Sequence, residues 1–224
     1  MPQKEADENH WAVIFDLDGV VTLSVGLHFS SWKRLFEEEG VPFTMTDYQE
    51  KVNGVPRREG IRNMLGELPE PKLNELMQRK QRYFLEALER EGVEPLPGVV
   101  ELIKQLRSAG ARTAVASSSK NARRIVGRLG IEGLFDAIID GNSFKYPKPD
   151  PDIFLTAAKS LKLPPNRCVV IEDAAFGVAA AKNGGFACVA ITTSESPQQL
   201  AGADRIINSF SEITVDELAA MVRR

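Results

Sequence analysis

Residues 11–19 read WAVIFDLDG, and this stretch decides the fold. The apolar run of residues 11–15 contains aromatic and β-branched side chains, which predicts a short buried strand. The strand is expected to end at Asp16, because Asp18-Gly19 is a strong turn signal. A buried strand that runs directly into two aspartates places carboxylates at its carboxyl end.

Downstream of residue 92 the pattern alternates between helical and extended segments, which predicts βαβ units and a parallel sheet. The predicted strands cover residues 112–116, 137–139, 168–171 and 186–191, with a short edge strand at 205–207. The predicted helices cover residues 98–109, 121–129, 151–161, 174–183 and 215–223.

Between these two parts, residues 24–91 show helical spacing only. A first helix is expected to end at Gly40, and others are predicted at 46–52, 57–65 and 71–90. Thr46 is the expected N-cap of the second, with Gln49 at the capping-box position. The sequence therefore predicts an α/β fold. Its doubly wound, Rossmann-like parallel-sheet core comprises residues 1–22 and 92–224, with an inserted α-helical domain at 23–91.

Composition narrows the classes of partner. The 224 residues carry a net charge of −3, so there is no strongly basic field and nucleic acid is not an expected partner. No apolar run of about 18 residues occurs, which argues against a membrane span, and the first ten residues lack a signal segment. Cys168 and Cys188 lie in apolar runs and are expected to be buried, reduced thiols. We therefore expect a cytoplasmic protein. We also expect a monomer, because no pattern in the sequence suggests the interface of an obligate oligomer.

Reactive side chains follow several of the predicted strands. Ligands of such sheets bind outside the carboxyl ends of the strands. There the sequence has Asp16 and Asp18, Ser117–Ser119, Lys148 in the loop after the third strand, and Glu172 and Asp173. Clustered carboxylates raise one another's pKa unless a cation compensates them, and Mg²⁺ prefers such hard oxygen ligands. The grouping predicts a Mg²⁺ cofactor and a small anionic substrate.

Simpler interpretations exist for the first motif. An aspartate after a strand is often only a turn or cap residue. A calcium-binding loop of the EF-hand type is excluded, because Gly19 is the fourth position from Asp16 rather than the sixth, and Leu27 stands where a glutamate is needed. The occurrence of all four segments in order favours a functional site.

Four segments resemble the motifs of the haloacid dehalogenase-like superfamily of phosphotransferases. They are FDLDGVVT (15–22), ASSSKN (116–121), YPKPDPDIF (146–154) and VIEDAAFGVAAAKNGG (170–185). The helical insertion resembles the family's cap domain. Four further segments, HFSSWK (28–33), VNGVPRREG (52–60), RKQRYF (79–84) and SSSKNA (117–122), are similar to the β-phosphoglucomutase group of this family.

The resemblance implies a role for each of these residues. In the core, Asp16 is implied to be the nucleophile, Asp18 the general acid and base, and Ser117 and Lys148 the holders of the transferring phosphate. The implied Mg²⁺ site comprises Asp16, Asp18 through its carbonyl, Glu172 and Asp173. The implied substrate-binding residues are Ser24, His28, Trp32, Arg57, Lys80, Ser119 and Asn121, with Arg57 on a second, non-reacting phosphate.

Structural explanations also exist for several of these side chains. Trp32 could pack in the core of the helical domain, His28 could be a satisfied structural residue, and Lys80 could lie on a solvated face. Arg57 could form a solvated pair with Arg58. Ser117–Ser119 could serve only as a helix N-cap, a role that is compatible with phosphate binding.

The resemblance leaves two functions open. The first is Mg²⁺-dependent β-phosphoglucomutase-type interconversion of hexose 1-phosphate and 6-phosphate, and the alternative is hydrolysis by a sugar-phosphate phosphatase of the same family. Arg57 favours the mutase, whereas Leu23, Asn53 and the segment after residue 191 favour the phosphatase. A dehalogenase would need neither Asp18 nor the Glu172-Asp173 pair, and a non-catalytic module would not need Asp16 or Lys148.

Overall fold

The computed structural model describes residues 10–53 and 55–222, and its central feature is a parallel sheet. The strands are β1 (Ala12–Phe15), β2 (Arg112–Ala116), β3 (Ala137–Ile139), β4 (Cys168–Glu172), β5 (Ala187–Ile191) and β6 (Arg205–Ile207). They form one six-stranded sheet in the order β3-β2-β1-β4-β5-β6, and every pairing is parallel. The predicted parallel sheet is confirmed, and β6 lies at its edge as expected.

Helices connect the strands, and others form the insertion after β1. They are α1 (Val25–Glu38), α2 (Met45–Asp47), α3 (Arg57–Leu65), α4 (Glu70–Glu91), α5 (Val99–Ser108), α6 (Ala122–Leu129), α7 (Asp152–Ser160), α8 (Ala175–Asn183) and α9 (Val215–Val222). The predicted elements are all present, and most bounds agree to within two residues. The exception is the helix predicted at 46–52, of which only the short α2 is α-helical. Arg223 of the last predicted helix lies outside the described residues.

The strand order fixes where a ligand can bind. The chain places β2 and β3 on one side of β1 and places β4, β5 and β6 on the other. Beside β1 the strand order therefore reverses, and in such sheets the crevice for ligands opens at the carboxyl ends of the strands next to this point. Phe15 is in register with Ile171, so the residues that follow β1 and β4 begin side by side.

The core of the α/β part lies on both faces of this sheet. Alternate side chains such as Ala12, Ile14 and Val170 pack with α7 and α8 in one apolar cluster. Val13 and Phe15 point to the opposite face and are equally buried. Central strands that are buried on both faces are typical of parallel sheets covered by helices.

Both cysteines are buried and free, as predicted. Burial raises the pKa of the Cys168 thiol to about 12. Burial also raises the pKa of the Cys188 thiol. The two side chains therefore serve as small apolar residues rather than as reactive groups.

The chain divides into two compact units. Among the described residues, the α/β unit comprises 10–22 and 94–222, and the helical unit comprises 23–53 and 55–93. The core of the helical unit is aromatic: the Trp32 and Phe36 rings stack with centroids 5.3 Å apart, and Phe43 lies against Phe36. The predicted assignment of residues 23–91 as a separate cap domain stays a prediction.

One predicted cap was wrong. The helix after α1 begins at Met45 and has Thr44 as its N-cap, two residues before the predicted Thr46. The Thr44 hydroxyl accepts a hydrogen bond from the Asp47 amide at 3.1 Å, and the Asp47 carboxylate accepts one from the Thr44 amide at 3.0 Å. Both threonines have a side chain of capping-box type three residues on, so the pattern alone could not choose between them. After Asp47 the chain continues as a π-helical turn, Tyr48–Val52.

No helix in residues 10–53 or 55–222 is both long enough and apolar enough to cross a lipid bilayer.

Candidate active site

The carboxyl ends of β1 and β4 hold the Asp16 side chain between them. The Asp16 amide donates to the Ile171 carbonyl at 2.9 Å, which extends the sheet pairing by one residue. The chain then turns sharply, and the Gly19 amide donates to the Thr22 carbonyl at 2.8 Å. Gly19 has φ +88°, and a Cβ there would lie 1.9 Å from an oxygen of Asp173. The turn therefore requires glycine for its backbone conformation and for its approach to β4.

Lys148 links the two strand ends. Its Nζ atom donates to Asp16 Oδ1 at 2.5 Å and to Glu172 Oε1. The three side chains are nearly inaccessible to solvent, with exposures of 6% for Lys148, 9% for Asp16 and 1% for Glu172. The other Asp16 oxygen, Oδ2, accepts a hydrogen bond from the Asp18 amide at 3.0 Å. Asp16 is thus held in one orientation by a cation and a backbone amide.

The electrostatics of this cluster are dominated by excess negative charge. Burial raises the pKa of Asp16 to about 7, and the charges of Glu172 and Asp18 add to this rise. The Lys148 ammonium lowers the pKa of Asp16, but by a smaller amount. Burial likewise raises the pKa of Asp173 well above its usual value, and Glu172 and Asp16 raise it further. Burial alone would lower the pKa of Lys148, but Asp16 and Glu172 raise it overall. One buried ammonium does not compensate these carboxylates, so the site favours a further cation.

The backbone after β4 orients Glu172. Its Oε2 atom accepts hydrogen bonds from the amides of Asp173 at 2.8 Å and Ala174 at 3.0 Å. A Cβ at Gly177 would lie 1.8 Å from Glu172 Oε1. The first turn of α8 can therefore lie this close to Glu172 only with a glycine at position 177. With Lys148 on Oε1, both oxygens of Glu172 are engaged, and its carboxylate has a fixed direction.

The loop after β2 brings hydroxyl groups to the same edge of the sheet. The Ser117 amide donates to the Ile139 carbonyl, and its hydroxyl donates to Asp18 Oδ2 at 3.4 Å. Ser117 Oγ also accepts the Ser119 amide at 3.0 Å, and Ser119 Oγ accepts the Asn121 amide at 3.2 Å. The loop leads directly into α6, whose N-terminus at Ala122 suits an anion. Ser117 and Asp18 are therefore neighbours, whereas Ser119 and Asn121 shape the loop.

Within the helical unit, three of the predicted substrate-binding residues form one cluster. Lys80 is buried, and its Nζ atom lies 3.0 Å from His28 Nδ1 and 5.0 Å from the centroids of both the Trp32 and Phe84 rings. His28 stacks on Phe84, with centroids 4.4 Å apart. Trp32 belongs to the apolar core of this unit. Lys80 therefore lies on a buried face and not on the solvated face that its charged segment suggested.

Arg57 opens α3, and its guanidinium has only neutral partners among the described residues. It donates to the Met77 carbonyl at 3.1 Å and to Gln81 Oε1 at 2.5 Å. Burial lowers its pKa. The adjacent Arg58 instead pairs with Glu70 at 2.6 Å. Ser24 is buried at the N-cap position of α1, where its carbonyl accepts the His28 amide at 3.0 Å.

The donor chemistry at the β1–β4 edge fits Mg²⁺. Asp16 and Asp173 supply buried carboxylate oxygens in a region of uncompensated negative charge. In the part of the chain that the structure describes, no three His, Cys, Asp or Glu side chains are grouped so that they could hold a metal by themselves. Mg²⁺ is usually held by one or two carboxylates together with waters and phosphate oxygens.

The prediction missed a set of residues in the loop after β5. Thr193 Oγ1 donates to the Gly19 carbonyl at 2.5 Å, and Ser194 Oγ donates to Asp173 Oδ2. Glu195 accepts the Ala175 amide at 2.9 Å. These residues follow a strand of the sheet, so the strand-end rule that found Asp16 and Glu172 would have indicated them too.

Comparison with known proteins identifies the family. Residues 12–185 match the haloacid dehalogenase-like hydrolase family. A β-phosphoglucomutase of Bacillus subtilis is 37% identical over 92% of this chain and 93% of its own length. A phosphorylated carbohydrates phosphatase of Thermotoga maritima is 35% identical over 78% of this chain and 82% of its own. A solved β-phosphoglucomutase of Clostridium difficile superimposes with a TM-score of 0.87 at 27% identity, covering 95% of this chain and 96% of that one.

The fold, the order of the motifs and the relatives agree. Enzymes of this family generally use Mg²⁺. The chain belongs to the haloacid dehalogenase-like hydrolase family, and it is an enzyme that resembles β-phosphoglucomutases and has phosphatases among its relatives.

Proposed function

We propose that this enzyme transfers a phosphoryl group on a small sugar phosphate through a covalent phospho-Asp16, and that it interconverts hexose 1-phosphate and hexose 6-phosphate. The observation that carries the phosphoryl transfer is the buried Asp16 carboxylate, fixed by Lys148 at 2.5 Å and followed two residues later by Asp18. The similarity to β-phosphoglucomutase over 92% of the chain supports the sugar phosphate as substrate.

In the proposed first step, an Asp16 oxygen attacks the phosphorus atom at O1 of a hexose 1,6-bisphosphate, and the bond between this phosphorus and the sugar oxygen breaks, which leaves hexose 6-phosphate. Asp18 delivers its proton to the departing sugar oxygen. In the second step the 6-hydroxyl of a hexose 1-phosphate attacks phospho-Asp16 and gives its proton to Asp18. This restores the Asp16 carboxylate and regenerates the bisphosphate, so each cycle converts one hexose 1-phosphate to hexose 6-phosphate. Covalent catalysis of this kind splits one difficult transfer into two easier ones.

Charge on the transferring group requires fixed cations and hydrogen-bond donors. We assign these roles to Lys148 and to the Ser117 hydroxyl, which lie beside Asp16 and Asp18. Mg²⁺ would be held by Asp16, Asp173 and the Asp18 carbonyl, with Glu172 acting through water. When bound, it would neutralise charge on the phosphoryl oxygens.

The preference for the mutase rests on Arg57. A half-buried guanidinium whose hydrogen bonds go only to neutral oxygens, among the described residues, is suited to receive an anion. A mutase intermediate carries a second, non-reacting phosphate, whereas hydrolysis of a monophosphate needs no second anion site. We assign that second phosphate to Arg57, and sugar contacts to Ser24, His28, Trp32, Lys80, Ser119 and Asn121.

The second candidate is a sugar-phosphate phosphatase, in which water instead of a sugar hydroxyl attacks phospho-Asp16. The similarity to a phosphorylated carbohydrates phosphatase over 78% of the chain favours it. So do Leu23, whose side chain is exposed, and Asn53, because each stands where the mutase group commonly has a charged residue.

The two candidates are separated by their products. β-Glucose 1-phosphate is incubated with the enzyme, Mg²⁺ and a trace of glucose 1,6-bisphosphate, and phosphorus NMR follows glucose 6-phosphate and free phosphate together. Glucose 6-phosphate with little free phosphate is expected. Free phosphate without isomerisation would assign the phosphatase, and neither product would remove this sugar as the substrate.

A further inference from the structure

The loop after β5 contacts three of the segments around the proposed Mg²⁺ site, through three consecutive side chains. Thr193 donates to the carbonyl of Gly19, which follows Asp18 directly. Ser194 donates to Asp173 Oδ2, and Glu195 accepts the amide of Ala175, two residues beyond Asp173. We define Thr193, Ser194 and Glu195 as the β5 clamp.

These contacts are close and local. A Cβ on Gly19 would lie 1.9 Å from Asp173 Oδ2 and 2.9 Å from Ser194 Oγ, so the turn after β1, the end of β4 and the β5 clamp meet at one point. Asp173 is 5% exposed, so water has little access to its carboxylate. A buried carboxylate is oriented by whichever donors contact it, and Ser194 is such a donor to one of its two oxygens.

We propose that the β5 clamp positions the metal-binding carboxylate: Ser194 fixes the rotation of Asp173 so that its other oxygen is available to Mg²⁺, and Thr193 holds the turn that carries Asp18 and its carbonyl. This inference rests on the proposed function for the presence of Mg²⁺, but not on the identity of the sugar. Partners that orient a metal ligand typically change metal affinity or activity by ~10–100-fold when they are removed.

The first variant removes one hydroxyl and little else. Ser194→Ala is expected to weaken Mg²⁺ binding to the substrate-free enzyme about tenfold, measured by isothermal titration calorimetry. Thr193→Val, which keeps the shape of the side chain, is expected to weaken it by less, because its hydroxyl acts one residue away from Asp18.

Ser196→Ala is the matched control in the same loop. The Ser196 hydroxyl donates to Gln199 at 2.8 Å and is exposed. Its removal is expected to leave Mg²⁺ affinity unchanged, and thermal unfolding of all variants checks that they remain folded. Ser194→Thr, which restores a hydroxyl, is expected to recover most of the affinity.

The outcomes separate this inference from the proposed function. Equal Mg²⁺ affinity in Ser194→Ala, Ser196→Ala and the unmodified enzyme would overturn the positioning role, as would an equal loss in both variants. A wild-type enzyme that binds no Mg²⁺ would overturn the metal and the β5 clamp together. A tenfold loss in Ser194→Ala alongside phosphatase products would support the clamp while rejecting the mutase.

Discussion

In the α/β unit a single lysine contacts two carboxylates that are almost inaccessible to water, whereas in the helical unit a single arginine contacts three carboxylates at the surface. Lys148 lies between Asp16 and Glu172, with side-chain exposures of 9% or less. Arg79 pairs with three glutamates that keep 18–48% of their side chains exposed, Glu38, Glu39 and Glu75. The number of contacts is similar, but the surroundings differ.

The difference in burial decides what each group of charges can do. Removing ions from water costs several kcal/mol per ion, so a buried cluster is a weak source of stability. In return, its charges act in a region of low dielectric, where they affect pKa values and bound anions strongly. Exposed pairs cost little and contribute little, typically below about 1 kcal/mol each. Chemistry is therefore expected at Lys148, and modest stabilisation at Arg79.

The largest expected effect comes from removing the nucleophile. Asp16→Asn is expected to lower turnover by more than about 10⁴-fold, because the amide cannot form the phosphorylated intermediate. This loss exceeds the ~10²–10⁴-fold contribution that is typical of a single proton-transfer group. Rates are measured with the phosphorus NMR assay.

Asp136→Asn provides the matched control for Asp16. Asp136 precedes β3 at the opposite edge of the sheet, where its carboxylate accepts the Thr113 amide at 2.9 Å. Activity near the wild-type level is expected there. Activity near the wild-type level in Asp16→Asn would reject the covalent mechanism.

The second prediction sets the buried lysine against an exposed one. Lys148→Met leaves the carboxylates of Asp16 and Glu172 without their cation, and the free energy of unfolding is expected to fall by about 3 kcal/mol. Lys182 also contacts two carboxylate oxygens, both of Asp204 at 2.7 Å, but its side chain is 39% exposed. Lys182→Met is therefore expected to cost less than about 1 kcal/mol.

Urea unfolding of both lysine variants measures the two losses. Equal losses in Lys148→Met and Lys182→Met would mean that burial does not distinguish the two clusters, and the comparison between them would fail.

The third prediction concerns two adjacent arginines with different partners. Arg57→Ala is expected to lower the rate of conversion of hexose 1-phosphate to hexose 6-phosphate about 10–100-fold. A loss of this size corresponds to one hydrogen bond to a charged group, which contributes about 1.5–3 kcal/mol. Hydrolysis of a simple monophosphate is expected to change little. Arg58→Ala is the control, because Arg58 already pairs with Glu70 at 2.6 Å.

A parallel loss of isomerisation and hydrolysis in Arg57→Ala would show that Arg57 is not selective for a second phosphate. A loss in Arg58→Ala of the same size would attribute the effect to the packing of α3.

Parallel-sheet geometry explains why the centre of the site could be predicted from sequence. Once β1 and β4 are adjacent and parallel, Asp16 and Glu172 must emerge at the same edge, and both were predicted there. Details set by side-chain contacts could not be found this way. The direction of the Lys80 side chain, the choice of Thr44 as a cap and the contacts of Ser194 depend on loop paths and packing, which local spacing does not specify.

The smallest expected effect tests the surface network of the helical unit through its pH dependence. The hydrogen bond from the Tyr83 hydroxyl, with those from Arg79 and Arg34, lowers the pKa of Glu38 to about 2. Because the folded pKa lies below the ordinary value of 4.5, the network stabilises the folded state above about pH 4.5. This contribution declines as the pH falls towards 2.

Glu38→Gln is accordingly expected to lower the free energy of unfolding by no more than about 1 kcal/mol at pH 7, because the side chain is partly exposed. The difference from wild type should shrink between pH 4.5 and pH 3, since protonation removes the same charge from the wild-type protein. Urea unfolding at pH 7, 5, 4 and 3 measures it, with Glu50→Gln as the control at an exposed position of the same unit. A difference that stays constant across this range would mean that the Glu38 charge does not act through the network, leaving packing as its contribution.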